Sequence, residues 1–344
     1  MTFKLSRRDF LRYSSYSLGA AAVAPKMDLG IFTVGDSVGR IADTAISVYS
    51  QPDDTSSIVG QRFRDELVNI YEDVISKNGP GYNPLWYRVW NGYIHSARVF
   101  KVKTLLNDVI ESVPVTGQLV EVTVPYSQTY HFSPRSGWRP NYRLYYGSLH
   151  WIIALEEGPD GQPWYRIKDE LISSTYENYF APAEHFRWVQ PEEYAPISAD
   201  VPPDKKRIEV NLGTQTLVAY ENEEVVLKTI ISSGIPTGGK NSWETPRGTF
   251  YVTTKLPSKH MGEGILTDDL EAYILPGVPW VSFFTSKGVG FHGTYWHNNF
   301  GMTMSHGCIN MKLEEAKWVF RWTTPAVPAN IVEKNGMGTK VVVT

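Results

Sequence analysis

Cys308 is the only cysteine in a chain of 344 residues, and it sits in the run Ser305-His306-Gly307-Cys308-Ile309-Asn310. Sixteen residues upstream stands His292, at the end of Gly288-Val289-Gly290-Phe291 and followed by Gly293. A free thiol has a pKa near 8.5, so a cysteine used as a nucleophile needs a base or a positive field beside it. A histidine within hydrogen-bonding reach is such a base, and it can later return the proton to a leaving amine. The base then needs a third group that fixes its tautomer. The sequence offers no obvious aspartate nearby, and the Gly293 carbonyl is a group that could serve. Around the thiol, Gly307 leaves room for a substrate carbonyl. The backbone N–H groups of Gly307 and Cys308, with the His306 side chain, are candidate oxyanion donors. Ser305 and Asn310 are expected to support the loop by hydrogen bonding.

Three other readings compete for these residues, one of them an unrelated cysteine protease, which would also use Cys and His but has different local signatures. A buried structural cysteine is a small hydrophobe, and serine, histidine, glycine and asparagine make poor core neighbours for one. A zinc site would draw on His292, His297, His306 and Cys308, but His-x4-His-x8-His-x-Cys lacks the paired spacing of structural zinc. No metal and no cofactor is expected.

The elements that must position this pair are mostly strands. A strand ending at His292 and a loop through Asn298-Asn299-Phe300-Gly301 would return Cys308 beside the base. Apolar residues alternate at Ile208, Val210 and Leu212, as on a half-buried strand. Further strands are expected over Leu217 to Tyr220 and Val225 to Ile231, and Thr245-Pro246-Arg247-Gly248 reads as a turn entering another. Only Leu313 to Trp322 has helical periodicity, with Leu313, Ala316, Val319 and Phe320 near one face.

The front of the chain is also β in pattern. A proline-rich stretch, 190–206, reads as a linker. Before it, segments 41–103 and 117–189 each carry a Trp-Tyr-Arg core, at Trp86 and Trp164, with turn signals at Asn91-Gly92 and Asp160-Gly161. Trp86, Trp90 and Trp164 are expected in the cores of two small β-barrels. Residues 1–30 hold Lys4, Arg7, Arg8 and Arg12 ahead of a short Ala- and Ser-rich stretch. That pattern fits an export signal, and the adjacent arginines resemble the twin-arginine type. The product would be exported to the cell wall, either cleaved or still tethered. Export places a chain where disulfides normally form, and one cysteine cannot make an internal one. The net charge of −3 gives no nucleic-acid footprint.

Gly290-Phe291-His292-Gly293-Thr294-Tyr295-Trp296-His297, followed by Ser305-His306-Gly307-Cys308, resembles the signature of YkuD-type L,D-transpeptidases. Ser232-Ser233-Gly234, Thr245-Pro246-Arg247-Gly248 and Leu275-Pro276-Gly277-Val278-Pro279-Trp280 are similar to stretches of that domain as well. The resemblance covers about 205–344, and the domain is expected over 207–344. It implies a mainly β, sandwich-like catalytic domain with one helix after Cys308. It also implies Cys308 as nucleophile, His292 as base and the Gly293 carbonyl as third member. The implied substrates are peptidoglycan stem peptides joined 3→3 through a thioester. Hydrolysis or attachment of a protein to the wall would use the same residues, and a carbapenem-type β-lactam is the implied covalent inhibitor. Trp280, Tyr295 and Trp296 are expected near the substrate groove, and Phe283 is expected to pack the sheet. Asn310 occupies a position where relatives often have arginine, which bears on how a substrate carboxylate is held. Segment 41–103 resembles a bacterial SH3-like module and 117–189 a diverged copy, implying contact with the wall. The rival reading is a wall-binding protein whose C-terminal domain is inert.

Overall fold

Ile208, Val210, Leu217 and Ala219 alternate with polar neighbours, and all four are buried in one core. They lie on the first two strands of the C-terminal part, numbered here from its start: β1 (Lys206–Asn211) and β2 (Thr216–Glu221). In the computed structural model, residues 37–170, 176–238, 242–262 and 274–344 are described; the expected signal segment, 1–30, lies outside them. The remaining strands are β3 (Glu224–Ile230), β4 (Gly248–Tyr251), β5 (Thr254–Gly262), β6 (Ile274–Phe283), β7 (Gly290–Gly293), β8 (Ile309–Met311), β9 (Lys334–Asn335) and β10 (Lys340–Val343). They form two five-stranded sheets, ordered β3-β2-β1-β10-β4 and β8-β7-β6-β5-β9. Most pairs are antiparallel, whereas β1 with β10 and β7 with β8 run parallel.

Helix α1 (Leu313–Trp322) starts two residues after β8 and buries Ala316, Val319, Phe320 and Trp322 against the core. Its C-terminal carbonyls are met by a buried lysine. Lys255 Nζ donates to the carbonyls of Phe320, Thr323 (2.7 Å) and Pro325 (2.9 Å). Burial pulls this amine down to about 7, while the three acceptors at a helix C-terminus favour its charged form.

Three further sheets precede this part. Val38–Ile41 lies between Leu67–Asn69 and Val99–Val102. A five-stranded sheet runs Ile58–Phe63, Ala45–Tyr49, Gly92–His95, Leu85–Val89, Glu72–Ile75. A seven-stranded sheet spans the stretch from Gln118 to Trp188. The repeated Trp-Tyr pair is structural in both places: Trp86, Tyr87, Trp164 and Tyr165 are all buried. Trp90 departs from expectation. It is 75% exposed, because it precedes Asn91 in the tight turn after Leu85–Val89 and points away from the sheet.

The proline-rich stretch is docked rather than loose. Pro191–Tyr194 forms a single 3₁₀ turn closed by a capping box between Gln190 and Glu193. The Tyr194 ring is buried edge-on against Trp280 at 5.9 Å, and Glu193 pairs with both Arg187 and Lys317 of α1. Prolines predicted a break in regular structure correctly, but they carry no information about what the intervening aromatic packs on.

Candidate active site

Strands β7 and β8 place His292 and Cys308 on one cleft. In their parallel register Phe291 faces Ile309 and His292 faces Asn310, so Cys308, two residues before Asn310, falls on the same side of the sheet as His292. The loop carrying Cys308 is held from behind by two remote stretches. Asn310 and Ser232 exchange backbone hydrogen bonds of 2.8 and 3.0 Å, and Ile235 N–H donates to Ser305 O at 2.9 Å. Thr245 Oγ1 donates to Gly307 O (2.7 Å) and accepts from Gly234 N–H (2.9 Å). Gly234 is required by the closeness of this packing. A Cβ there would lie 1.9 Å from Trp243 O and 2.8 Å from Gly307 Cα.

His292 is buried, and its Nδ1 lies 3.0 Å from Gly293 O. A carbonyl only accepts, so Nδ1 carries the proton and Nε2 is left with its lone pair. Burial holds the imidazole down to about 4, with the Gly293 hydrogen bond opposing that shift. Gly293 cannot be enlarged freely. An added Cβ would stand 2.8 Å from Pro279 Cγ and 3.0 Å from Leu313 Cδ2.

Cys308 is partly buried and directs its Sγ–H toward Gly288 O at 3.5 Å. Desolvation pushes the thiol up to about 11, against a backbone hydrogen bond from Gly290. The resting pair is therefore a neutral thiol and a neutral imidazole. Ser305 Oγ donates to Cys308 O at 2.5 Å and accepts the Gly307 N–H at 3.1 Å, closing the loop on itself. Gly307, at φ +123°, permits that turn. Its N–H is thus engaged by Ser305, which removes it from the expected set of free oxyanion donors. His306 is exposed, and its ring lies on Trp243 with centroids 3.9 Å apart.

Asn310 gains a partner that the sequence did not suggest. Its Nδ2 position is 2.8 Å from His297 Nε2, and its Oδ1 position is buried without a partner. His297 Nδ1 already accepts from Asn299 N–H at 3.2 Å. Burial, then the charges of Arg98 and His292, hold this ring down to about 3, so it is neutral and carries one proton, on Nε2. That proton needs an acceptor, so hydrogen-bond valence turns the Asn310 oxygen toward His297 and leaves the amide NH2 without a protein partner.

With this geometry in view, comparison with known proteins is informative. Residues 205–343 match the family described as YkuD, the L,D-transpeptidase catalytic domain. These residues form a YkuD L,D-transpeptidase catalytic domain. YciB of Bacillus subtilis (strain 168), which carries an L,D-transpeptidase name, is 27% identical over 138 residues, covering 36% of this chain and 66% of that protein. The match thus spans slightly less than two thirds of that relative. The catalytic domain of the E. faecium L,D-transpeptidase acylated by ertapenem is 32% identical, with 41% of this chain and 97% of that chain covered and a TM-score of 0.29. An L,D-transpeptidase (residues 123–326) from Xylanimonas cellulosilytica DSM 15894 is 24% identical, with 40% and 60% covered and a TM-score of 0.29.

The YkuD domain opens onto a cleft of about 870 Å³ lined by His292, Tyr295, Trp296, Ser305, His306, Cys308 and Asn310. Tyr295 is buried at its wall, with its hydroxyl donating to Pro276 O at 2.7 Å, and Trp296 lies 5.7 Å from the His292 ring. One aromatic expectation is reversed. Trp280 is in the core, packed on Phe320 and Tyr194, because its side chain leaves β6 on the helix side. Phe283 packs against Leu256, Val278 and Val281 as expected, and it also lines the cleft. Sequence reasoning passed over Thr245 and Gly234 as parts of the loop's support, and it weighed His297 only as a zinc ligand. Among the described residues, no group of three or more His, Cys, Asp or Glu is placed to hold a metal ion, and no helix is long and apolar enough to cross a membrane.

Proposed function

We propose that this chain is a peptidoglycan L,D-transpeptidase that forms 3→3 crosslinks through a thioester on Cys308. The observation that carries the reading is the fixed tautomer of His292, whose Nε2 is a lone-pair acceptor in the cleft that holds the only thiol. The match of residues 205–343 to the YkuD family supports the substrate class. In the first step His292 Nε2 takes the Sγ proton as sulfur attacks the carbonyl of the third stem residue. The C–N bond breaks, and the departing D-alanine amine takes that proton. In the second step a side-chain amine from a neighbouring stem attacks the thioester and passes a proton through His292 to the leaving sulfur. The result is a new amide and a regenerated thiol. Because thiol and imidazole both rest neutral, proton transfer accompanies attack instead of preceding it. Asn310, buried behind Cys308, is read as a group that positions the loop, and the Cys308 N–H and His306 remain the proposed oxyanion donors. The basic run at Lys4, Arg7, Arg8 and Arg12 supports work outside the cytoplasm, and segments 41–103 and 117–189 are read as SH3-like modules.

Intact mass after exposure to a carbapenem tests the nucleophile, since the E. faecium relative is acylated by ertapenem. The expected result is one adduct, absent in Cys308→Ala; an unmodified wild type would count against the assignment. Chromatography of stem-peptide products then separates transfer from hydrolysis: a 3→3 dimer is expected, whereas trimmed tripeptide alone would make the enzyme a carboxypeptidase.

A further inference from the structure

The cleft in front of Cys308 is not built by the YkuD domain alone. Arg40, on the strand Val38–Ile41, reaches it with Arg64 and Arg98 of segment 41–103, and Arg143 and Tyr145 reach it from segment 117–189. This wall is fixed in place by a buried polar junction. Arg40 is 3% exposed, pairs with Asp65 at 3.2 Å, donates to Tyr295 O at 2.8 Å and lies over the Tyr145 ring at 4.1 Å. Arg143 takes the other oxygen of the same carboxylate at 2.5 Å. Asn298 N–H, one residue past His297, donates to Ala97 O at 2.7 Å. All three parts of the chain thus meet close to the catalytic strand.

The charges on that wall do not balance. Arg40 and Arg143 share one carboxylate, and Arg98 is matched by Asp43 at 3.3 Å. Arg64 has a hydrogen bond to the Thr44 hydroxyl at 3.3 Å and no carboxylate among the described residues. The buried Arg40 Nε has no acceptor. Low-dielectric walls bearing one sign of charge concentrate the opposite sign, and guanidinium groups are well suited to carboxylates.

We propose that the N-terminal β region completes the substrate site, with Arg64 beside Arg143 binding a carboxylate of the stem peptide away from the scissile bond. The proposal rests on the transpeptidase reading and deepens it: the preferred substrate is an acidic stem peptide rather than an amidated one. The test uses the full chain and two synthetic tetrapeptide stems. One has free internal carboxylates; in the other these are amidated and the terminal carboxylate is kept. Wild type is expected to show a lower KM for the acidic peptide. Arg64→Gln should raise that KM roughly two- to fivefold, the range for a partly solvated charge pair, with kcat carrying little of the change. Arg64→Lys should restore part of it, and Arg64→Glu should favour the amidated peptide. Calorimetry with Cys308→Ala reads the wall without turnover. Tighter binding of the acidic peptide, lost in Cys308→Ala with Arg64→Gln, supports the subsite. Equal affinity for both peptides, or an unchanged preference in an Arg64→Gln protein that melts as wild type does, overturns it. Carbapenem labelling of Cys308 reports on the transpeptidase reading separately.

Discussion

Acidification should weaken the folded chain through two buried histidines, by an amount that can be worked out. His292 and His297 are held down to about 4 and about 3, both chiefly by burial, whereas an unfolded histidine titrates near 6.5. Between those values the unfolded chain binds protons that the folded chain refuses. The stability these groups supply is therefore fully present above about pH 6.5 and is lost as pH falls toward the folded values. Each unit of separation corresponds to ~1.4 kcal/mol, so each group removes about 3 kcal/mol by pH 4. That is a large part of the ~5–15 kcal/mol by which domains are stable. Urea unfolding followed by tryptophan fluorescence at pH 7, 6, 5 and 4.5 would measure it, in wild type and in His297→Gln. Glutamine keeps a polar group facing Asn310 and cannot titrate. The variant should be less stable at pH 7, with a dependence on pH shallower by about one proton, or ~1.4 kcal/mol per pH unit. Identical slopes in the two proteins would refute the reasoning, because His297 would then be charged in the fold or free to titrate as it does when unfolded.

Three more expectations follow from the same geometry. The rate of Cys308 acylation by a carbapenem should be flat through neutral pH and fall as pH drops toward about 4, where His292 gains its proton; a midpoint near 7 in stopped-flow traces would mean a resting ion pair instead. Gly293→Ala should slow acylation and cost about 1–3 kcal/mol in urea unfolding, because the new methyl meets Pro279 and Leu313. Lys255→Met should cost about 2–4 kcal/mol by the same measurement, since three carbonyls at the end of α1 lose their donor.

How much of this was legible in the sequence depends on the range of each interaction. Period-two alternation located β1 and β2, and helical spacing located α1, because both depend on neighbours within a few residues. Cys308 and His292 stood out as candidates because the proposed chemistry requires particular residue types. Alternation could not say which face of β6 meets the helix, so Trp280 was expected in the groove, whereas it lies in the core. The polar wall was out of reach for a different reason. Arg40 and Tyr295 are separated by 255 positions, and nothing local to either residue records the contact. Asn310 was noticed, but its orientation depends on the proton count of His297, which only the three-dimensional network supplies.

Tyr194 and Glu193 lie upstream of the stretch that matches the YkuD family, yet they cover Trp280 and tie down α1. The inherited cassette and the folding unit therefore have different borders. Cutting the chain at 205 would strip the cover from a large indole and leave Lys317 without its carboxylate. An exchange of front ends between chains of this kind should make its junction ahead of Gln190, carrying the proline-rich turn along with the sheets of the YkuD domain.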